Sequence, residues 1–415
     1  MDQSTVAGGW SELPAELLDS IIRRLNNYID YIRVRSVCPL WRSNLPRKPK
    51  PYHLVTQIPW LLLPTYKNNS LSETRCSFFN LAENKPYLLD LPEVLGEGKR
   101  CWGSPHGWIV LVDEEGPFFS LLNPLTKARI HLPSLFYYPS SLETGNIVLP
   151  WDSIGIFRGS YIVKAVLIAN PLMTEFVVMV IMERAPCALA FFKSGTEAWT
   201  LIAESEGTIF HDLVCFQGEF YAVDSNGTVY LLDLSDKSKV VKIANPPEAL
   251  LEVESFRQSY LVESENELLL VYRYFKKPRG TPFCSTSYFT AYKLALSNST
   301  WSQMSDLTEQ VLFLGTNCSF SLSARDYPSC RGNSIYFTDD QYCLVPGNTG
   351  TYSEQDIFLP GPFGFLRFKS ACIRGHDWGI FGLANGVEPL PGCPVPDAEK
   401  IKQLMPAPLW VTISP

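Results

Sequence analysis

From Tyr52 onward the chain is a succession of short apolar runs, each broken after a few residues by Gly, Pro, Asn or Asp. Runs that short do not complete a helix, and their aromatic and β-branched content favours strands. Six of them share one pattern: an aromatic-aliphatic run, a polar turn, then a second run. They are FFNLAENKPYLLDLP, FFSLLNPLTKARIHLP, LAFFKSGTEAWTLIAE, VYLLDLSDKSKVVKIA, FTAYKLALSNSTWSQMSD and WGIFGLANGVEPLPG, beginning at Phe78, Phe118, Leu189, Val229, Phe289 and Trp378. A recurring hairpin with further strands between its copies predicts a β-propeller, each hairpin forming the outer half of a four-stranded blade. GWIVLVD, YIVKAVLIA, EFVVMVIM, LVCFQGEFYAVD, ELLLVYRYF and NSIYFTD supply inner strands.

At about 40 to 50 residues per blade, the stretch 52–415 has room for about seven or eight blades. The spacing of the hairpins gives about six, with insertions. The fold expected is therefore mainly β, and PWLLLP near residue 60 and PLWVTISP at the end of the chain are partners for a closing blade. A pair of β-sandwiches is the alternative, but it does not require six similar hairpins.

The first tenth of the chain follows another period. Leu13, Leu17, Ile21 and Leu25 recur every four residues, widened by Leu18 and Ile22. Pro14 suits a first turn and Glu16 the positive end of a helix dipole. Asp30 is placed to cap a second helix over YIRVRSV, and Pro39 to open a third over LWRSNL. Three short helices have larger apolar faces than they can bury among themselves, so something else must cover them. The expected division is a tail at 1–10, a helical module at 11–46, a linker at 47–51 holding the basic run Arg47-Lys48-Pro49-Lys50, and the β-rich domain at 52–415.

Charge and cysteine usage narrow the partners. With 35 basic against 42 acidic residues the net charge is −7, which does not suit a nucleic-acid ligand. The greasiest stretch, YIVKAVLIANPLMTEFVVMVIM, is broken by Lys164, Asn170, Pro171 and Glu175 before the roughly 18 apolar residues of a membrane span, and reads as two buried strands around a turn. Neither nucleic acid nor membrane is an expected partner. The opening MDQSTVAGGW has no basic-then-apolar secretory pattern. Eleven scattered cysteines without a CxxC suggest reduced, packed thiols and an intracellular protein of nucleus or cytoplasm. The sequons at Asn68, Asn226, Asn298 and Asn317 then go unused.

The helical stretch, LP-x-ELL-x-x-II-x-x-L followed by D-x-x-R-x-R-x-VC-x-x-W-R, resembles the F-box, the adaptor-binding module of SCF-type (Skp–cullin–F-box) ubiquitin ligases. The resemblance implies docking on a Skp-type adaptor and through it a cullin, with Leu13, Pro14, Leu17, Ile21, Val37, Cys38 and Trp41 forming the apolar contact. Beyond it, PWLLLP, GWIVL…LLNPLT, GNSIYFTDD and the DWGIF tail are similar to a large plant family of kelch-like F-box proteins whose C-terminal domain has no assigned function. That resemblance covers essentially the whole chain. It implies a propeller-like receptor domain for a protein substrate, without naming its contact residues.

Catalytic patterns are missing from the sequence: no GxSxG, no GxxxxGK[ST], no HExxH. Gly96-Glu97-Gly98 reads as a loop. His211-Asp212 and His376-Asp377 each make half a catalytic or metal site on paper, but a single adjacent pair in β-rich sequence reads more simply as a turn or a satisfied polar contact. Glu114-Glu115 and Asp339-Asp340 read as hairpin turns, since neighbours on a strand point to opposite faces. Five dispersed histidines form no metal cluster, and no cofactor is expected. The leading expectation is a non-catalytic substrate receptor. The rivals are a propeller hydrolase with acidic residues at the central channel and a helical cap, and an adaptor-binding scaffold that delivers nothing for degradation.

Overall fold

The computed structural model describes residues 9–25, 28–46, 59–63, 65–66, 75–95, 99–113, 118–135, 162–172, 175–182, 189–202, 208–234, 239–248, 257–276, 285–338, 343–346, 356–361, 364–371, 377, 379–382, 386–388, 404–405 and 409–412. The expected linker 47–51, most of the tail, Gly96 to Gly98, Glu114-Glu115, Asp339-Asp340, His376 and Trp378 lie outside them.

Six blades, antiparallel throughout except for one strand pair of the sixth, follow three short helices. Blade 1 is assembled from both ends of the chain: Leu409–Thr412 is innermost, then Pro59–Leu63, Arg75–Asn80 and Lys85–Asp90. The register sets Trp60 opposite Val411 and Leu61 opposite Trp410, so the two stretches chosen from the sequence as closing partners do pair. Blades 2 to 5 each run in chain order, starting at Lys99–Gly103, Ile162–Ile168, Phe210–Phe216 and Arg257–Ser264. The six hairpins read from the sequence supply the third and fourth strands of blades 1 to 5 and the outermost pair of blade 6, Gly379–Gly382 with Gly386–Glu388.

Strand burial explains the composition. Every residue of Pro59–Leu63 is buried. Successive side chains on a strand point to opposite faces, and here both faces are covered. Trp60 and Leu62 join Cys101, Ile109 and Leu111 of blade 2, while Leu61 and Leu63 join Val311, Phe313 and Tyr336 of blade 6. Equivalent apolar clusters lie between blades 2 and 3, 3 and 4, 4 and 5, and 5 and 6. Six interfaces close a ring, and that is why Pro59–Leu63, Ile109–Asp113 and Val177–Met182 read as nearly unbroken hydrophobic runs rather than alternating ones.

Blade 6 departs from the simple meander. Gln310–Leu314 pairs antiparallel with Phe320–Ser323 but parallel with Ser334–Phe337. The strand order places Phe320–Ser323 at the blade edge, where it meets Arg257–Ser264 of blade 5. A separate three-stranded sheet, Cys343–Pro346, Asp356–Gly361 and Gly364–Ala371, lies in the sequence between strands of this blade. The sequence reading had not picked out that insertion as a sheet of its own.

The helices are α1 (Ala15–Ile22), α2 (Tyr28–Ser36) and α3 (Pro39–Asn44), preceded by a 3-10 turn at Trp10–Glu12. Pro39 opens α3 as expected, and the Cys38 sulfur accepts from the Trp41 N–H at 3.4 Å. Asp30 is not a cap. Helix α2 starts two residues earlier, and Asp30 in its first turn pairs with Arg33 at 2.8 Å.

The inner ring leaves little room at one point. A methyl group on Gly103 would sit 1.9 Å from the Trp410 carbonyl oxygen, where the inner strand of blade 2 meets that of blade 1. Backbone cannot yield as a side chain does. Gly103→Ala is expected to destabilise the chain by about 2–3 kcal/mol, read as a drop in the urea midpoint at unchanged slope.

Candidate adaptor-binding surface and the polar interior

The helical module has a core of its own, built from Leu18, Ile22, Tyr31, Trp41 and Leu45. Trp41 is 8% exposed and its indole N–H donates to the Trp10 carbonyl at 2.9 Å; the Tyr31 hydroxyl donates to the Pro46 carbonyl at 2.6 Å. With that core complete, large apolar side chains still face outward: Leu17 is 54% exposed, Val37 59%, Leu40 46% and Trp10 79%. Leu13, Leu17, Ser20, Ile21 and Arg24 line a shallow groove along α1. On a 3.6-residue helix Leu17, Ile21 and Arg24 fall on one stripe while Leu18 and Ile22 turn inward. The result is a two-sided helix, one apolar side spent on its own core and the other left in water.

The inner strands hold a buried polar cluster. Asp212, on the inner strand of blade 4, has no exposed surface and is surrounded by donors: Lys164 Nζ at 2.6 Å, Ser319 Oγ at 2.6 Å, the Leu213 N–H at 2.7 Å and the Leu261 N–H at 3.1 Å. Burial raises its pKa, opposed chiefly by Lys164. The 315–319 loop of blade 6 spans these inner strands. Lys164 of blade 3 donates to the Gly315 carbonyl and Ser319, and the Cys318 N–H donates to the Gly103 carbonyl of blade 2 at 2.9 Å. His211 beside it is held neutral: its Nδ1 accepts the Ser259 N–H at 3.2 Å, and burial lowers its pKa to about 4.

A second buried charge joins blades 5 and 6. Arg273, fully buried, donates to Thr286 Oγ1 at 2.8 Å, the Thr338 carbonyl at 2.7 Å and Asp377 Oδ2 at 3.0 Å. The Thr286 amide and hydroxyl complete the Asp377 carboxylate, at 2.8 and 2.7 Å. Three phenylalanines, Phe275, Phe289 and Phe337, lie within cation–π range of the guanidinium. The aspartates of both His-Asp pairs are thus consumed by structural partners, as the simpler sequence reading had it. Among the described residues no three His, Cys, Asp or Glu side chains group as metal ligands, and no helix is long and apolar enough to cross a membrane.

The KIB1-4 beta-propeller family matches residues 78–366. The chain belongs to that family. The F-box protein SKIP23 of Arabidopsis thaliana is 27% identical over 97% of this chain and 95% of its own length, which takes in the N-terminal helices. Two further Arabidopsis thaliana proteins are similar: F-box protein At2g17036, 29% identical over 81% of this chain and 85% of its own, and F-box/kelch-repeat protein At1g64840, 25% over 80% and 84%. This KIB1-4 propeller with three helices ahead of it is a plant F-box protein.

Among the seven residues expected at the adaptor contact, Leu17 and Val37 are exposed, Pro14 is exposed just before α1, and Leu13, Ile21 and Cys38 are half-buried. Trp41 differs, because its ring fills the module's own core. Leu40 and Trp10, which the sequence reading passed over, join the exposed apolar set. Leu40 was hidden by its place between Pro39 and Trp41, and Trp10 by lying outside the helical period.

Two outcomes test the interior. Asp212→Ala strands the buried Lys164 ammonium and is expected to cost about 3–5 kcal/mol in urea unfolding, part of it recovered by adding Lys164→Met. The depressed His211 pKa stabilises the fold fully above the unfolded value of 6.5, and that contribution is lost as the pH falls towards 4. It amounts to about 3 kcal/mol, so the acid-side slope of stability against pH should flatten in His211→Gln.

Proposed function

We propose that this F-box protein is the substrate-recognition subunit of an SCF-type ubiquitin ligase. Its helices dock on a Skp-type adaptor and through it a cullin, and its propeller takes a target protein. The observation that carries this reading is the apolar surface left on a module whose own core is already complete. Isolated exposed apolar residues are ordinary, but four large ones, Leu17, Val37, Leu40 and Trp10, within some three dozen residues are more apolar surface than water favours. Leu17 and Ile21 on one stripe match helix-in-groove recognition, in which a few aliphatic anchors dominate the binding energy. Leu13, Pro14, Val37 and Cys38 would flank them, with Trp41 acting from beneath by holding α3 in place.

No side chain of this chain takes part in bond-making. Ubiquitin comes from a conjugating enzyme elsewhere in the assembly, and the receptor contributes proximity: a bound target has its lysines at high effective concentration near the thioester. The enclosure of Asp212 and Asp377 supports this over a hydrolase at the axis, whose general acid needs access to substrate. The target is a protein and the site of action intracellular, in nucleus or cytoplasm.

The test uses the full chain and a purified Skp-type adaptor. Leu17→Asp with Val37→Asp is expected to weaken binding more than about thirtyfold, about 2 kcal/mol, with the propeller's melting temperature unchanged. Equal affinity of wild type and variant for the adaptor removes the reading.

A further inference from the structure

The LLNPLT stretch of blade 2 has no part in the function proposed above, yet it builds one of the most defined turns in the molecule. Asn123, buried, accepts the Leu125 N–H at 3.0 Å and the Thr126 N–H at 2.9 Å on its side-chain oxygen, and the Lys127 N–H at 3.0 Å on its carbonyl. Lys127 takes a positive φ of 61° to bring the chain back. Such a turn fixes its own shape without help from neighbours. What it holds up is Leu125, which packs against two separate cores, the helical one of Leu18, Ile22, Tyr31, Trp41 and Leu45 and the propeller one between blades 1 and 2.

Blade 1 repeats the device one blade over. Asn80 Oδ1 accepts the Ala82 N–H at 2.8 Å and the Glu83 N–H at 3.4 Å, and Asn84 has the positive φ, 54°. This turn presents Glu83 to the helices. The Tyr87 hydroxyl donates to Glu83, Arg33 Nη2 donates to Tyr87 Oη at 3.2 Å, and Arg33 Nη1 lies 3.9 Å from Glu83 Oε1. Tyr87 is itself seated, its ring stacked on Trp60 at 5.0 Å. Arg33 is held from its own side by Asp30.

We propose that the 123–126 turn and the Arg33–Tyr87–Glu83 latch beside it form the joint that fixes the direction of the helical module on the propeller. Leu125 and Arg33 are then positioning residues for ubiquitin transfer. One contact between two bodies leaves rotation about it free; two separate contacts remove that freedom. Without such a joint, relative motion is the default for two units connected by a linker. Both turns join the third strand of a blade to the fourth, so the helices sit at that end of the propeller. Exposed ion pairs are individually weak, so Leu125 carries more of the joint than Arg33. The consequence for transfer rests on the receptor reading, because a target lysine held in a fixed direction is reached more often than one swept through a wide arc.

The experiment places a fluorophore pair, through non-natural residues at Ser43 on α3 and Lys276 on blade 5, on the full chain and measures the distribution of transfer efficiency molecule by molecule. Wild type is expected to give one narrow distribution. Leu125→Ser broadens it, and Leu125→Ser with Arg33→Ala broadens it by at least about twofold, while Leu125→Met stays narrow. Adaptor affinity and the propeller's melting temperature remain as in wild type. In the reconstituted ligase, self-ubiquitination spreads from a few propeller lysines to many in the double variant. Should Leu125→Ser lower the melting temperature, Arg33→Ala, made on the helical side, carries the measurement alone. An unchanged width in the double variant overturns the proposal. Failure of the wild-type chain to bind adaptor overturns the receptor reading instead, and the distribution still decides the joint.

Discussion

Every blade of this protein buries both of its faces, and a sheet that does so has no stable place except between two others. That single constraint makes the pairing of Pro59–Leu63 with Leu409–Thr412 the contact on which the rest depends. Removing it leaves Trp60, Leu61 and Leu62 beside an unpaired strand edge, with the interfaces to blades 2 and 6 each half built. Burial at about 25 cal/mol per Å² makes such interfaces the main source of stability, and ring closure is what lets six of them exist for six blades.

The axis is secured differently. Inner strands converge there with little volume to share, and backbone groups at their margins need partners. The chain answers with the 315–319 loop, whose Gly315 carbonyl, Cys318 N–H and Ser319 hydroxyl are taken up by blades 2, 3 and 4. Buried ion pairs such as Lys164–Asp212 and Arg273–Asp377 contribute less to net stability than their short distances suggest, since desolvation offsets much of the attraction. Their effect is on specificity: an alternative register that separated them would leave a charge alone in the interior.

Much of this architecture was legible because its cause is local. A hairpin needs its turn residues at fixed offsets, and all six hairpins announced themselves that way. Two buried strands around the break at Asn170-Pro171 followed from an apolar run too interrupted for anything else. Helix α1 showed in its period and α3 in Pro39, although the start of α2 at Tyr28 did not, because Asp30 has the chemistry of a cap for a helix beginning after it. What stayed hidden is what long-range contact decides. The parallel pairing of Gln310–Leu314 with Ser334–Phe337 has no local signal, nor does the sheet inserted between Cys343 and Ala371. Trp41, expected at the adaptor contact, is buried in the module's own core, a depth that sequence does not give because exposed and core aromatics look alike in one dimension. Leu125 stands in the LLNPLT stretch, but only the fold shows it reaching a second core.

The same closing strand has a consequence in time. Residues 409–412 leave the ribosome about 350 residues after their partners at 59–63. At about 5 to 20 residues per second, the interval between them is on the order of half a minute. Throughout it the first blade lacks its inner strand and the ring stands open, while α1 to α3 have everything their own core requires. A nascent chain therefore displays a finished helical module long before it has a closed propeller, and any factor that captures the helices early does so on a molecule whose ring is still open.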